Sequence, residues 1–191
     1  MAEISFRAAK PEDAARLLEI YGHYVKNTVV SFEYEVLSEE DFANRIRKTL
    51  VKYPYILAVC EDKIIGYAYA GALNERRAAS WAAEASIYLD KDFRRQGTGR
   101  KLYDELERVL KAQGFLSVYA LIAWPDEEDE YLTWDSVNFH QRCGYEIAGR
   151  LNYCGHKFGR WYSLVWMEKQ LGERTAAPAE PIPFCEMKYQ E

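Results

Sequence analysis

Two arginines followed by a glycine-rich turn, Arg94-Arg95-Gln96-Gly97-Thr98-Gly99, form the stretch of this 191-residue chain best equipped for chemistry. It closes a segment rich in strand formers, 84–90, and opens a strongly helical one, 98–113. A turn of this kind leaves backbone N–H groups unpaired, and its glycines let them approach a ligand closely. The helix macrodipole and the arginines add positive potential, so the matching ligand is a phosphate or pyrophosphate. A triphosphate P-loop would need a Gly-Lys-Ser/Thr ending, and a dinucleotide fold G-x-G-x-x-G after a first strand; neither pattern is present. Taken alone, the turn is also compatible with an ordinary helix start, so its flanks must decide.

Metal and thiol chemistry have no comparable arrangement. The three histidines, His23, His140 and His156, lie on distant segments without ligand spacing, so no metal is expected. Cys60, Cys143, Cys154 and Cys185 lack C-x-x-C spacing and read as reduced thiols. With 25 basic against 30 acidic residues, a net charge of -5 leaves no broad basic excess for a nucleic-acid partner. No apolar run is long enough to span a bilayer, and the N-terminus lacks a signal-peptide pattern, so the expectation is a cytoplasmic protein without a membrane partner. A hydrophobic content of 49% supports one full core, read as a domain over 1–171 and an Ala/Pro-rich tail over 172–191 that docks or stays mobile.

The elements that must position the turn follow from periodicity. Residues 4–8 alternate as a strand, and Lys10-Pro11-Glu12-Asp13 starts a helix with Ala14, Leu17, Leu18, Tyr21 and Val25 at helical spacing. After an extended aromatic loop, 28–34, Ser38 and Asp41 cap a second helix over 39–52, ended by Tyr53-Pro54. Runs at 55–60 and 64–73 read as an antiparallel hairpin through Glu61-Asp62-Lys63, with Gly66 and Gly71 marking bulges or close backbone approach. Residues 81–90 make a strand with Ala83, Ala85, Ile87 and Leu89 on one side and Glu84, Ser86 and Tyr88 on the other. The turn, the helix at 98–113 with Gly114 as its stop, and a buried strand at 115–124 complete a right-handed βαβ crossover. The acidic run 126–130 reads as solvated charge and 133–143 as a short helix capped by Gly144. Two last strands, 145–153 and 161–169, pair antiparallel across residues 155–160.

This order of elements, with Arg94-Arg95-Gln96-Gly97-Thr98-Gly99 matching the signature Gln/Arg-x-x-Gly-x-Gly/Ala, resembles the GNAT N-acetyltransferase superfamily. Within it, several blocks are similar to the phosphinothricin and methionine-sulfoximine acetyltransferase group. They are Ile20-Tyr21-Gly22-His23-Tyr24-Val25, Ser31-Phe32-Glu33, Gly66-Tyr67-Ala68-Tyr69-Ala70 and Glu84-Ala85-Ser86-Ile87-Tyr88. His140 with Gly144-Tyr145, and Gly155-His156-Lys157-Phe158-Gly159-Arg160-Trp161, continue them in family order, so that the resemblance covers 4–171.

The resemblance implies an α/β fold whose central mixed sheet, flanked by helices, has splayed parallel strands that take the pantetheine arm of acetyl-CoA, the cosubstrate. It places the pyrophosphate on the amides of Gln96, Gly97, Thr98 and Gly99, near Arg94 and Arg95, with Ile87, Tyr88, Thr133 and Ser136 as further cofactor contacts. Glu84 becomes the catalytic base that takes a proton from an ammonium, a role that contributes about 10²–10⁴-fold in rate; the alternative is a glutamate in a structural salt bridge. His140 stands where the superfamily usually has tyrosine, and is implied to protonate or hydrogen-bond the departing sulfur; the alternative is a structural histidine. Phe32, Glu33, Arg76 and Lys157 are the implied substrate contacts. The chain departs from the group at Ala79 and Ala82, where Tyr and Thr are frequent, at Thr133 for Asn, and at Ser163 for Asp.

The activity implied is N-acetylation of a small-molecule amine, an L-amino acid or an analogue such as phosphinothricin or methionine sulfoximine, by direct transfer in a homodimer. Two alternatives stay open: acetylation of a protein or peptide amine, and a CoA-binding sensor without catalysis, which the alanines at 79 and 82 motivate.

Overall fold

A computed structural model describes residues 3–189 of the chain. Among them, seven strands form one sheet: β1 (Ile4–Ala8), β2 (Tyr55–Cys60), β3 (Lys63–Ala72), β4 (Ala82–Leu89), β5 (Ser117–Trp124), β6 (Glu146–Lys157) and β7 (Arg160–Gln170). Their order across the sheet is β1-β2-β3-β4-β5-β7-β6, and every pair is antiparallel except β4 with β5. Four helices, α1 (Ala14–Asn27), α2 (Glu39–Lys52), α3 (Thr98–Gln113) and α4 (Asp135–Arg142), cover the two faces. No helix among the described residues is long and apolar enough to cross a membrane.

Each face is a separate core. α1 and α2 press Leu17, Ile20, Tyr21, Phe42 and Ile46 onto Tyr55, Leu57 and Tyr67 of the sheet. On the other face α3 presses Leu102, Leu106, Val109 and Leu110 onto Ala83, Ala85, Val118 and Ala120. Burial of one such large side chain is worth about 1.5–3 kcal/mol, so the helical spacing of the apolar residues fixes which way each helix faces. The ends follow local chemistry: Ser38 Oγ accepts the Asp41 N–H at 3.1 Å to start α2, and Gly114 at φ 98° stops α3. Glu61 and Asp62, at φ 48° and 62°, make the tight turn between β2 and β3. Gly66 sits opposite a register shift in β2, and a Cβ there would lie 2.4 Å from Leu89 Cδ2; Gly71 has open space, so close approach explains only the first of these glycines.

Two segments differ from the sequence reading, and the tail takes the docked one of its two expected states. The spacer expected at 155–160 is largely strand: β6 runs irregularly to Lys157, and Phe158-Gly159, both at positive φ, are the turn. The acidic run is not simply solvated. Asp126 accepts from Arg150 and from Ser163 Oγ (3.0 Å), Asp129 accepts from Tyr162 (2.8 Å) and Arg160 (2.9 Å), and Glu130 also binds Arg160. At Ser163, where the family pattern has an acid, the carboxylate is thus supplied by the loop. The tail packs on the domain: the Trp81 indole donates to Ala179 O at 2.7 Å, Gln113 Nε2 to Ile182 O at 2.7 Å, and Phe184 is buried in the α3-side core. These contacts lie where β4 and β5 begin, at their paired end.

Candidate active site

β4 and β5 pair only at Ala82–Ser117, Ala83–Val118 and Glu84–Tyr119, although both strands continue well beyond. Past Glu84 they part, and the resulting slot is walled by Ala85–Tyr88, by Ala120–Ala123, and by Ser136 and His140 of α4. Val30, Tyr103 and Leu132 complete it. Facing strand edges that do not meet must find other partners for their N–H and C=O groups, which an extended, amide-bearing chain supplies.

At the open end stands the glycine turn. Arg95 (φ 61°) and Gly97 (φ 80°) turn the chain into α3, whose first amides have no intrahelical acceptor. Gly99 is a packing glycine: a Cβ there would lie 3.1 Å from Phe139 Cε2, so the small residue lets α3 start close against α4. The Arg94 guanidinium lies over the Tyr24 ring at 4.8 Å, and Arg95 pairs with Asp135 at 3.0 Å in a largely exposed contact of little energetic weight. The turn is therefore a fitting cradle for phosphate, with Gln96, Gly97 and Thr98 at its tip.

Glu84 is half-buried at the fork and, among the described residues, its carboxylate makes no hydrogen bond or ion pair, so the salt-bridge alternative is not what the structure contains. Burial pushes its carboxyl pKa up. On the same strand, the Tyr88 side chain packs edge-on against Tyr21 (4.9 Å) and Tyr24 (5.1 Å), so its ring belongs with the α1 side of the sheet.

His140, implied to protonate or hydrogen-bond the departing sulfur, is engaged at both ring nitrogens. Its Nδ1 lies 2.7 Å from Ser136 O and its Nε2 3.0 Å from the Tyr103 hydroxyl. Burial lowers its pKa to about 4, so the ring is neutral near neutral pH and has no spare proton to give a leaving sulfur.

Of the expected substrate contacts, Lys157 is engaged elsewhere. Lys157 is 3% exposed, and its ammonium donates to Val25 O (2.8 Å), Thr28 O (3.0 Å) and Ser31 O (2.6 Å); it staples the α1–α2 connection to the β6–β7 hairpin and does not face the slot. Phe32 lies on the backbone of Gly155, where a Cβ would come within 1.9 Å of its ring, and Tyr34 donates to His156 O. Gly155→Ala must expel Phe32; the expected cost of about 1–3 kcal/mol lowers Tm by about 2–12 °C in a chain of this size, which calorimetry reads directly. Glu33 pairs with Arg45 at 2.8 Å. Arg76 is exposed on the β3–β4 connection, and Thr133 is exposed beside the slot, its Oγ1 3.4 Å from the Asp135 amide. Residues the sequence reading missed are Tyr103, Val30, Leu132, Arg45 and Asp126.

A parallel pair that opens beyond a half-buried carboxylate, with a phosphate cradle at its mouth, defines a class: a transferase fold that admits a long phosphate-bearing carrier edge-on to the sheet. A family model described as an acetyltransferase (GNAT) domain matches residues 6–166, and the chain belongs to that family. It is 30% identical over 179 residues to the phosphinothricin N-acetyltransferase of Streptomyces viridochromogenes, covering 94% of this chain and 93% of that one. A methionine sulfoximine/methionine sulfone acetyltransferase of Pseudomonas aeruginosa is 31% identical, with 91% and 98% covered. Among solved structures, a phosphinothricin acetyltransferase from Sinorhizobium meliloti in complex with AcCoA is 34% identical and superposes at TM-score 0.84, over 94% of this chain and 95% of that one.

Proposed function

We propose that this acetyltransferase carries acetyl from acetyl-CoA to the amine of a small molecule, an L-amino acid or an analogue of the phosphinothricin or methionine-sulfoximine kind. The observation that carries the reading is Glu84, half-buried and without a partner at the point where β4 and β5 part. An ammonium must lose a proton before its nitrogen can attack, and a carboxylate with a raised pKa is suited to take it. Acetyl-CoA supplies an acetyl thioester activated for attack. The amides of Gln96, Gly97, Thr98 and Gly99 with Arg94 and Arg95 hold its phosphates, and the β4 edge at Ile87 and Tyr88 receives its extended arm beside Ser136. A backbone N–H near Ile87 polarises the carbonyl. On the α1–α2 side Phe32, Glu33 and Arg45 border the amine, and Arg76 reaches its carboxylate. The names of the relatives, and the AcCoA held by the Sinorhizobium protein, support this assignment.

The test is CoA-thiol release from acetyl-CoA over a panel of amino acids, methionine sulfoximine and phosphinothricin. Turnover of one α-amino acid class is expected. Binding of acetyl-CoA with no acetylation anywhere on the panel would reject the substrate class and leave peptides or a sensor role in the lead.

A homodimer fits the outermost strand, β6, which is mostly exposed and carries Ile147, Leu151 and Tyr153 beside Trp161 of β7. Light scattering is expected to give twice the chain mass, and a monomer at all concentrations would remove this part of the reading. A cytoplasmic setting suits the four unbonded cysteines.

A further inference from the structure

Residues 73–81, which join β3 to β4 and carry Arg76, have no core of their own: 74–78 are exposed, and Ala78 and Ala79 have no side chain long enough to brace them. Inside the connection the Arg76 N–H donates to Asn74 Oδ1 at 2.9 Å, and one short 3₁₀ turn, Arg77–Ala79, shapes the rest. Among the described residues, the side-chain hydrogen bonds that leave the connection all end on the C-terminal tail. The Trp81 indole donates to Ala179 O, and the Arg77 guanidinium reaches Glu180 Oε1 through Nε (3.2 Å) and Nη2. The tail is itself fixed on both sides of that contact. As it leaves β7, the Leu171 N–H donates to Leu116 O at 2.8 Å. Beyond Glu180, Ile182 exchanges two hydrogen bonds with Gln113, which is 1% exposed: its N–H donates to Gln113 O (2.8 Å) and its carbonyl accepts from Gln113 Nε2. Phe184 then enters the α3-side core.

We infer that the tail is a positioning element for the amine substrate, with Glu180 and Trp81 as positioning residues that hold the β3–β4 connection in the shape presenting Arg76 to the substrate's carboxylate. The inference rests on Arg76 as the carboxylate contact. A guanidinium on a free loop must give up the loop's freedom each time a ligand binds, and that loss weakens binding; a connection already pinned avoids it. The Arg77–Glu180 pair is exposed and adds little to folding, so its effect shows in the amine's KM and not in Tm. Neither arm touches the glycine turn, which lies past the other end of β4, so acetyl-CoA is bound independently of them.

The experiment compares an α-amino acid that turns over with the amine of the same side chain lacking the carboxylate, each with acetyl-CoA, in the full-length wild type and in Trp81→Phe/Glu180→Gln. That double variant removes both arms and leaves Phe184 and Gln113 in place. The amino acid's KM is expected to rise about three- to tenfold, while kcat, the KM of the decarboxylated amine, the KM of acetyl-CoA and Tm stay near wild type. Glu180→Arg alone should raise the amino acid's KM in the same way, and Arg77→Glu/Glu180→Arg should reverse most of that rise. An amino-acid KM within about twofold of wild type, an equal rise for both amines, a fall in Tm without a change in their ratio, or a charge swap that restores nothing overturns the inference. A wild type that turns over neither amine sinks the acetyl-transfer reading. One that takes both with the same KM sinks the Arg76 contact and this inference with it, whereas a carboxylate preference that the variants keep sinks the inference alone.

Discussion

Glu84→Gln is expected to lower kcat for CoA-thiol release by about 10²–10⁴-fold, the usual worth of a positioned base, while acetyl-CoA binding stays within a few-fold of wild type. In the wild type the rate rises with pH as the carboxylate ionises, and that limb lies above the ordinary glutamate range because burial raises the pKa. In Glu84→Gln the limb vanishes. Stability moves the opposite way from activity. The folded state holds the Glu84 proton more tightly than the unfolded chain, so this group's contribution to stability falls as pH rises from the ordinary glutamate pKa through the raised one. At neutral pH, replacing it with an uncharged amide should leave Tm unchanged or raise it. A large loss of rate with no loss of Tm is the signature of a base. If the rate changes less than threefold, another group takes the proton; if Tm collapses, the carboxylate is structural after all.

What was legible in the sequence follows from how local each signal is. α2 and α3 occupy the ranges read from periodicity, because local residues mark a boundary of each: Ser38 starts α2, and Gly114 in the left-handed region ends α3. The fork was readable only through resemblance. Nothing in the alternation of β4 says that its pairing with β5 ends at Glu84. Tyr103 stayed hidden as a wall of the slot because the helix pattern registers its ring as core, and the partner of its hydroxyl, His140, is 37 positions away. Asp126 looked like solvated charge since its partners, Arg150 and Ser163, come from the far hairpin. Gly155 reads as a strand breaker, whereas its missing side chain is what admits Phe32.

Lys157 carries a related lesson: lysine is seldom buried, so a family-matched lysine suggests a ligand contact. Its ammonium instead gathers three backbone carbonyls, Val25, Thr28 and Ser31, at the point where α1 hands over to the loop carrying Phe32 and Glu33. Lys157→Met keeps most of the apolar stem and deletes the donors. Carbonyls left unpaired in a buried setting cost about 1–3 kcal/mol each, so with partial relaxation the expected loss is about 3–5 kcal/mol, or about 6–20 °C in Tm for a chain of this size. That makes it the largest stability effect expected from one substitution, and it appears without any ligand. The functional consequence is secondary: a loosened loop displaces Phe32 and Glu33, so KM for the amine should rise while KM for acetyl-CoA changes little, the glycine turn being held by other contacts. Calorimetry of the unliganded variant beside its steady-state kinetics separates the two roles. A wild-type Tm with a raised amine KM would return Lys157 to the substrate site, whereas a lowered Tm without ligand can only come from the staple.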